Sequence, residues 1–176
     1  MVVNLAGALA LAGALVLAGS ACGSDREPTR WMLQVDTLHS DLDGSLRFAA
    51  TLELPGKGGV EGLPRDEDVR LKFDCRKGTG AFAAVLTERH LESGTAALRI
   101  TLDSQPPYDA RAATGAYGPW GMVYISEWSA LLDSLRGHRS MLLHYSGAHT
   151  PGAAAEFSLA GIDSLRPHFL AACERQ

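Results

Sequence analysis

The sequence predicts a mainly β domain with two helices: an antiparallel β-sandwich-like domain with a C-terminal helix and one disulfide. Three observations lead to this prediction. Apolar and polar residues alternate along most of the chain after Trp31, which is the period of a half-buried strand. Two segments show helical spacing instead. Two cysteines, Cys75 and Cys173, fall on predicted core faces far apart in the sequence.

The first predicted strands form a hairpin. Leu46–Leu54 alternates between apolar and polar residues, which indicates a strand with one buried face. The preceding Asp43-Gly44 supplies the positive φ angles that a tight turn needs, so we expect residues 32–39 to pair antiparallel with this strand. The Gly- and Pro-rich residues 55–64 then predict a loop.

The next strand carries one of the cysteines. Val69, Leu71, Phe73 and Cys75 alternate with charged residues, so the pattern places Cys75 on the core side. Further strands are predicted at residues 81–87, 96–102, 119–125, 139–146 and 154–160. Together they predict a mostly antiparallel sheet assembly.

Two segments depart from the strand period and predict helices. The first is Ser126–Arg136, where Ser126 can cap the N-terminus and Gly137 follows the last turn. Its apolar residues at helical spacing are Trp128, Leu131, Leu132 and Leu135. The second runs from about Asp163 to Glu174, with Pro167 expected within its first turn. Its predicted buried stripe consists of Leu165, Phe169, Ala172 and Cys173.

The two core-facing cysteines predict a disulfide. A strand cysteine and a helix cysteine that both face the core can meet, so we expect Cys75 to pair with Cys173. In the chain-entropy description, closing so long a loop stabilises the fold by roughly 4–5 kcal/mol.

The N-terminal segment predicts export. Residues 1–21 contain no charged side chain and consist almost entirely of Leu, Ala, Val and Gly, as in a secretory signal. Small residues precede Cys22, so diacylation of Cys22 and ordinary signal cleavage are both open. Lipidation leaves no odd thiol after export, because the other two cysteines pair. A membrane-spanning anchor is a further alternative, since the apolar run is nearly long enough.

Removal of residues 1–21 would leave 155 residues, the length of one ordinary domain. We therefore predict a signal peptide at 1–21, a lipidated tether at 22–30 and a single β-rich domain at 31–176. The net charge of -4 and the scattered Lys and Arg residues provide no basic patch. This argues against nucleic acid as a partner.

No constellation in the sequence predicts catalysis, a metal or a cofactor. Ser146 lacks the glycine pattern of a nucleophile elbow, and a polar turn explains it better. His138, His144 and His149 have no HExxH or Cys-x-x-Cys partner motif, so we expect exposed histidines. The acidic residues near the first hairpin (Asp36, Asp41 and Asp43) lack the bidentate Glu of a calcium loop.

One aromatic segment is a candidate for binding. Residues 117–124 place aromatic rings beside glycines, and aromatic faces can stack on sugars or anchor a protein. We expect Tyr117 and Trp120 to lie in a partly exposed loop and to contact a partner. We expect Tyr124 and Trp128 to pack in the core.

The order of motifs resembles a known family. The motifs are Leu71-Lys72-Phe73-Asp74-Cys75-Arg76, Leu98-Arg99-Ile100-Thr101-Leu102-Asp103, a helix from Trp128 to Leu135, Ala155-Glu156-Phe157-Ser158-Leu159-Ala160-Gly161, and a last helix with Cys173. Over residues 31–174 the chain resembles the VasI/TagO group of periplasmic accessory proteins of type VI secretion. The resemblance implies a β-sandwich-like domain without catalysis, which contacts a secretion apparatus or wall components.

These observations predict a non-enzymatic cell-envelope lipoprotein that acts as a binding or assembly factor, associated with type VI secretion. Its expected partners are envelope or secretion-apparatus proteins, the membrane through the lipid anchor, and peptidoglycan. The alternative is an inhibitor or ligand-binding lipoprotein that captures a wall-active enzyme or a glycan. Gly23 replaces the Asp that retains lipoproteins at the inner membrane, so in a Gram-negative bacterium we expect the outer membrane, facing the periplasm.

Overall fold

The computed structural model describes residues 30–39, 46–63, 65–76, 80–147 and 150–174. In these ranges the chain forms β1 (Met32–His39), β2 (Leu46–Val60), β3 (Glu67–Arg76), β4 (Gly80–Thr87), β5 (Gly94–Leu102), β6 (Tyr108–Tyr117), β7 (Trp120–Ile125), α1 (Trp128–Ser134), β8 (Ser140–Gly147), β9 (Thr150–Ser158) and α2 (Ile162–Glu174). The predicted class, mainly β with two helices, is confirmed.

Eight strands close into an antiparallel barrel. Their order is β2-β3-β4-β7-β6-β5-β8-β9, and β9 pairs back with β2. β1 lies beside this ring and pairs antiparallel with the first half of β2, as the predicted hairpin requires. The expected sandwich is wrong. The second half of β2 leaves β1 and takes β9 as its partner, which joins the two edges that a sandwich keeps apart.

The barrel closes at the segment that the sequence predicts to be a loop. Residues 55–60 continue β2, because the glycines in this segment let β9 come closer than it could come to a residue with a side chain. A Cβ atom at Gly56 would lie 2.5 Å from the Phe157 ring and 2.6 Å from the carbonyl oxygen of Glu156. Gly58 pairs with Ala155 of β9. The glycines thus mark close packing between strands.

One strand, β6, is absent from the sequence prediction. Its sequence is rich in Ala, Thr and Gly, and its buried and exposed residues do not alternate in a regular way. It is a strand because it pairs along its length with β5 and β7. Tertiary pairing therefore overrides a weak local pattern. The other predicted strands are confirmed, with ends that differ by a few residues.

The main core is a large apolar cluster inside the barrel. Its largest fully buried side chains include Leu52, Leu54, Leu71, Phe73, Ile100, Met141 and Phe157. Cys75 belongs to this cluster, so its predicted core-facing position is confirmed.

The first helix is shorter than expected. α1 begins at Trp128, and Glu127 occupies the cap position without a side-chain capping hydrogen bond. The predicted cap at Ser126 is therefore wrong. The backbone N–H of Ser126 instead donates to the carbonyl of Arg111 at 3.1 Å, which ties this residue to β6. Gly137, at a φ of 72°, follows the helix as predicted.

The last helix is joined to the barrel by the disulfide. Cys173 of α2 is bonded to Cys75 of β3, with the Cα atoms 5.9 Å apart, so the predicted pair is confirmed. Phe169 is fully buried and meets the Phe73 ring edge-on at 6.5 Å. α2 begins at Ile162, which places Pro167 beyond the first turn and corrects that expectation. Pro167 cannot donate the usual i−4 hydrogen bond.

Candidate functional site

Tyr117 and Trp120, the predicted partner-binding residues, face each other at the tip of the β6–β7 hairpin. Gly118 and Pro119 form the turn, and Gly118 has a φ of 60°, which favours glycine. Tyr117 is exposed and Trp120 is half-buried. They end and begin strands instead of lying in a loop, and this hairpin brings their two rings to one place on the outer surface.

Two cations of β3 lie over these rings. The guanidinium carbon of Arg70 is 5.4 Å from the Trp120 ring centroid. The Lys72 Nζ atom is 5.4 Å from the Tyr117 ring centroid. Both distances lie within the range of a cation–π contact. Together with Arg76, these residues form what we call the cationic–aromatic patch: Arg70, Lys72, Arg76, Tyr117 and Trp120.

A fully buried carboxylate, Asp74, organises the cations of the patch. Its Oδ1 accepts a hydrogen bond from Arg76 Nε at 2.9 Å, and its Oδ2 lies 3.2 Å from Lys72 Nζ. The Thr51 hydroxyl also donates to Oδ2, at 3.3 Å. The hydrogen bond to Asp74 raises the pKa of Arg76, and the Tyr117 phenol adds to this effect. Asp74 therefore fixes two cations beside the Tyr117 ring.

The patch presents mainly positive charge to solvent. Arg70 pairs with Glu53 at 3.1 Å, but the Arg70 side chain is 48% exposed and the Glu53 side chain is 17% exposed. The Arg76 side chain is 43% exposed, whereas its partner Asp74 is 0% exposed. The two arginines are thus more exposed than the carboxylates they pair with, whereas the Lys72 side chain is 12% exposed. A partner would therefore meet positive charge here, although the chain has a net charge of -4.

An apolar cluster lies next to the patch on the outside of the barrel. Ala84, Leu86 and Met122 are buried there, apart from the main core, with Phe82 packed against them. Tyr124 meets Phe82 at a ring separation of 5.7 Å and is exposed. The expected core position of Tyr124 is wrong, because its place in β7 faces outward beside Ala84. Trp128 is half-buried and packs against Phe169 at 6.4 Å, in line with its predicted core role.

A polar cleft lies on the other side of the barrel. It has a volume of about 750 Å³ and crosses β5, β6, β8 and β9. We call it the β5–β8 cleft, and its lining includes Glu61, Ala97, Arg99, Asp109, His144 and Ser146. Arg99 Nε donates to Asp109 Oδ1 at 3.1 Å, and His144 Nδ1 lies 3.8 Å from Glu61 Oε1. A volume of this size is typical of a site for a small molecule.

The cleft contains the serine and one histidine considered above. Ser146 lies within β8, two residues after His144, and not in a turn. Among the described residues, the Ser146 hydroxyl makes no hydrogen bond to the imidazole of His144, which faces Glu61 instead. The residues of a hydrolytic triad are therefore not brought together here.

His138 belongs to a group of hydrogen bonds around Asp103. Its Nδ1 lies 2.9 Å from Asp103 Oδ2, and the backbone N–H groups of Arg139 and Ser140 donate to Asp103 Oδ1. These hydrogen bonds, that of His138 above all, lower the pKa of Asp103 to about 2. The contacts tie the chain after α1 to the end of β5.

The described residues contain no group of His, Cys, Asp or Glu side chains that could hold a metal ion. Asp41, Asp43 and His149, which the sequence analysis considered as ligands, lie outside the described residues. The predicted signal peptide, the predicted lipidation site Cys22 and nearly all of the predicted tether also lie outside them. Neither described helix is long and apolar enough to cross a membrane.

The cations of the patch and the charged residues of the cleft are not among the site residues predicted from the sequence. The signal for Arg70, Lys72 and Arg76 is the strict alternation of β3, which places them on one outward face. The alternation of β5 gives the same signal for Arg99, between the buried Leu98 and Ile100, whereas Asp109 has none because β6 itself is not predicted.

Comparison of the chain with protein families, with characterised proteins and with solved structures finds no match. The resemblance to the VasI/TagO group therefore remains a prediction from the sequence motifs.

Proposed function

We propose that this chain is a non-enzymatic cell-envelope lipoprotein that acts as a binding or assembly factor associated with a type VI secretion apparatus. The cationic–aromatic patch is the observation that supports this proposal best. Two rings and three cations converge there from β3, β6 and β7. Trp, Tyr and Arg are the residues that most often dominate binding energy at protein interfaces.

The patch is well ordered for binding because its side chains support one another. The Trp120 ring lies under Arg70, and the Tyr117 ring lies under Lys72. Asp74 holds Lys72 and Arg76 from below. Side chains fixed in this way lose less conformational entropy when a partner binds. The patch therefore suits a protein interface.

The charge of the patch suggests the chemistry of the partner. Because Arg70 and Arg76 are more exposed than Glu53 and Asp74, the carboxylates they pair with, an acidic surface would be complementary to these two arginines. We propose that the partner is an envelope protein, a subunit of the secretion apparatus, with an acidic surface that accepts the two rings. An apolar contact with Phe82 and Tyr124 would extend the interface.

The proposed location depends on the N-terminal sequence. A lipid on Cys22 would hold the domain at the outer membrane, facing the periplasm. The described fold is compatible with a short tether, because Trp31 is already packed in the core, with its ring 6.3 Å from that of Phe73. Palmitate labelling in cells tests the anchor: we expect the full chain to take up label and Cys22→Ser to lose it. Equal labelling of both would contradict the lipidation.

Affinity isolation from cross-linked envelopes tests the partner. We expect Trp120→Ala to capture much less of a secretion-apparatus subunit, while its melting temperature stays close to that of the parent. Tyr108→Ala is the control, because Tyr108 is an exposed aromatic residue at the other end of β6, away from the patch. Equal capture by the parent and by Trp120→Ala would contradict the proposal. Capture of only wall hydrolases or glycan would favour the inhibitor or ligand-binding alternative.

A further inference from the structure

We propose that the β5–β8 cleft is a second binding site, which takes a short peptide by its free amino and carboxylate ends. The site is separate from the cationic–aromatic patch. In the closed order of strands, β5 and β8 lie four positions from β3 and β4, so the two surfaces face opposite sides of the barrel. The inference does not depend on the function proposed for the patch.

Two carboxylates, an arginine and a histidine line the cleft in one row. Asp109 pairs in register with Arg99, and Arg99 pairs in register with His144. Glu61 completes the row, with its Oε1 3.8 Å from His144 Nδ1. The side chains are exposed or partly exposed, so a ligand can reach each of them. The row offers a cation near the centre and a carboxylate at either end.

The position of Glu61 depends on a glycine. The backbone N–H of Glu61 donates to the carbonyl of Gly152 at 2.9 Å, which ties this residue to β9. A Cβ atom at Gly152 would lie 3.0 Å from Glu61 Oε2. The absence of a side chain at Gly152 therefore lets the Glu61 carboxylate lie over β9 at the rim of the cleft.

The floor of the cleft is made of small residues. Ala97 of β5 and Ser146 of β8 are register partners beside the charged row. Because both side chains are small, they leave space beside the row that larger side chains would fill. Such a floor admits a peptide whose own side chains are small, and the Ser146 hydroxyl can bond to its backbone.

The spacing of the charges fits a ligand of about three residues. Adjacent strands lie about 4.8 Å apart, so two spacings separate β5 from β9 by about 10 Å. An extended chain of three residues spans about 10 Å. Arg99 uses Nε for Asp109, so its terminal amino groups can bind the peptide carboxylate. The ammonium group then lies near Glu61.

Calorimetric titration of the full chain with Ala-Ala-Ala tests the site. We expect binding that weakens at least about tenfold when either end is blocked, by acetylation or by amidation. Comparison with a peptide that ends in two D-alanines distinguishes a wall-derived peptide from a protein-derived one, and binding of either supports the proposal. No heat of binding for either peptide up to about 10 mM, or equal binding of the doubly blocked peptide, would overturn it.

Substitutions in the cleft can distinguish the contribution of the Arg99 charge from that of the space beside Ala97. Arg99→Gln should bind Ala-Ala-Ala and its amide equally weakly, because the carboxylate has lost its partner. Arg136→Gln, an exposed arginine outside the cleft, should behave as the parent. Ala97→Leu should weaken every peptide by filling the floor, whereas Ala171→Leu on the exposed side of α2 should not. An Arg99→Gln variant that still discriminates the amide would contradict the assignment of Arg99.

Discussion

The disulfide gives the clearest stability prediction. Cys75 and Cys173 are 98 residues apart in the sequence. In the chain-entropy description, a bridge that closes a loop of this length restricts the unfolded chain by about 4.7 kcal/mol at 25 °C. We expect Cys75→Ala/Cys173→Ala to lose about 4 kcal/mol of unfolding free energy, a large share of what a domain of this size possesses.

Urea unfolding, followed by tryptophan fluorescence, measures this loss. The parent protein in reductant is the matched control, because it breaks the bridge but keeps both sulfur atoms in place. We expect the reduced parent and the alanine variant to agree within about 1 kcal/mol, since Cys75 is a small buried side chain. A loss below about 1 kcal/mol in both would refute the reasoning. It would show that the packing of Phe169 holds α2 without the bridge.

Three further predictions concern single residues, each measured by urea unfolding. Asp74→Asn should lose about 2–3 kcal/mol of unfolding free energy, because Lys72 and Arg76 would lose their buried counter-charge. Asp109→Asn, at an exposed ion pair, should lose less than about 1 kcal/mol. Similar losses in the two variants would argue against the role of burial. Gly121→Ala should lose about 3 kcal/mol of unfolding free energy, because its Cβ atom would overlap the carbonyl oxygen of Arg89. Gly94→Ala is the control and should change stability little, because its Cβ atom would point into open space. Unchanged stability of Gly121→Ala would mean that the loop at Arg89 moves without cost. The pKa of Asp103 falls from 3.8 to about 2 on folding, so its carboxylate stabilises the fold above pH 4, and this stabilisation disappears as the pH falls towards 2. Asp103→Asn should therefore be less stable than the parent at pH 6, and this difference should shrink as the pH falls through 2. A difference that stays constant with pH would contradict the assignment.

Much of the fold follows from the sequence because the strand period is strong where one face is buried. β3 shows this well, since Leu71 and Phe73 are buried and their neighbours Arg70 and Lys72 face outward. The same alternation places Cys75 in the core, and the helical spacing of the last segment places Cys173 within reach of it. Local pattern was sufficient for these features.

The barrel could not be predicted because its closure depends on strands that are distant in the sequence. Gly56 and Gly58 have the composition of a loop, but the same absence of side chains lets β9 approach β2. β6 has no apolar alternation, and its partners alone make it a strand. A sandwich and a barrel share the same strand pattern and differ in which edges meet.

The candidate sites also combine features that a local sequence pattern predicts with features that depend on distant strands. The aromatic residues Tyr117 and Trp120 were visible as a cluster, because both lie in one short segment. The contact of these rings with Arg70 and Lys72 could not be predicted, because β4 and β7 separate Lys72 from Tyr117 in the sheet. These residues can meet only once the strands have paired in the folded barrel.

Site-specific photo-cross-linking in intact cells tests the central claim most directly. A photoreactive phenylalanine derivative would replace Tyr117 in one version of the full chain and Tyr108 in another, since both tyrosines are exposed on β6 at opposite ends. We expect the Tyr117 position to cross-link to a secretion-apparatus subunit with an acidic surface, and the Tyr108 position not to do so. Equal cross-linking from both positions, or none from Tyr117, would contradict the assignment of the cationic–aromatic patch as the partner-binding surface.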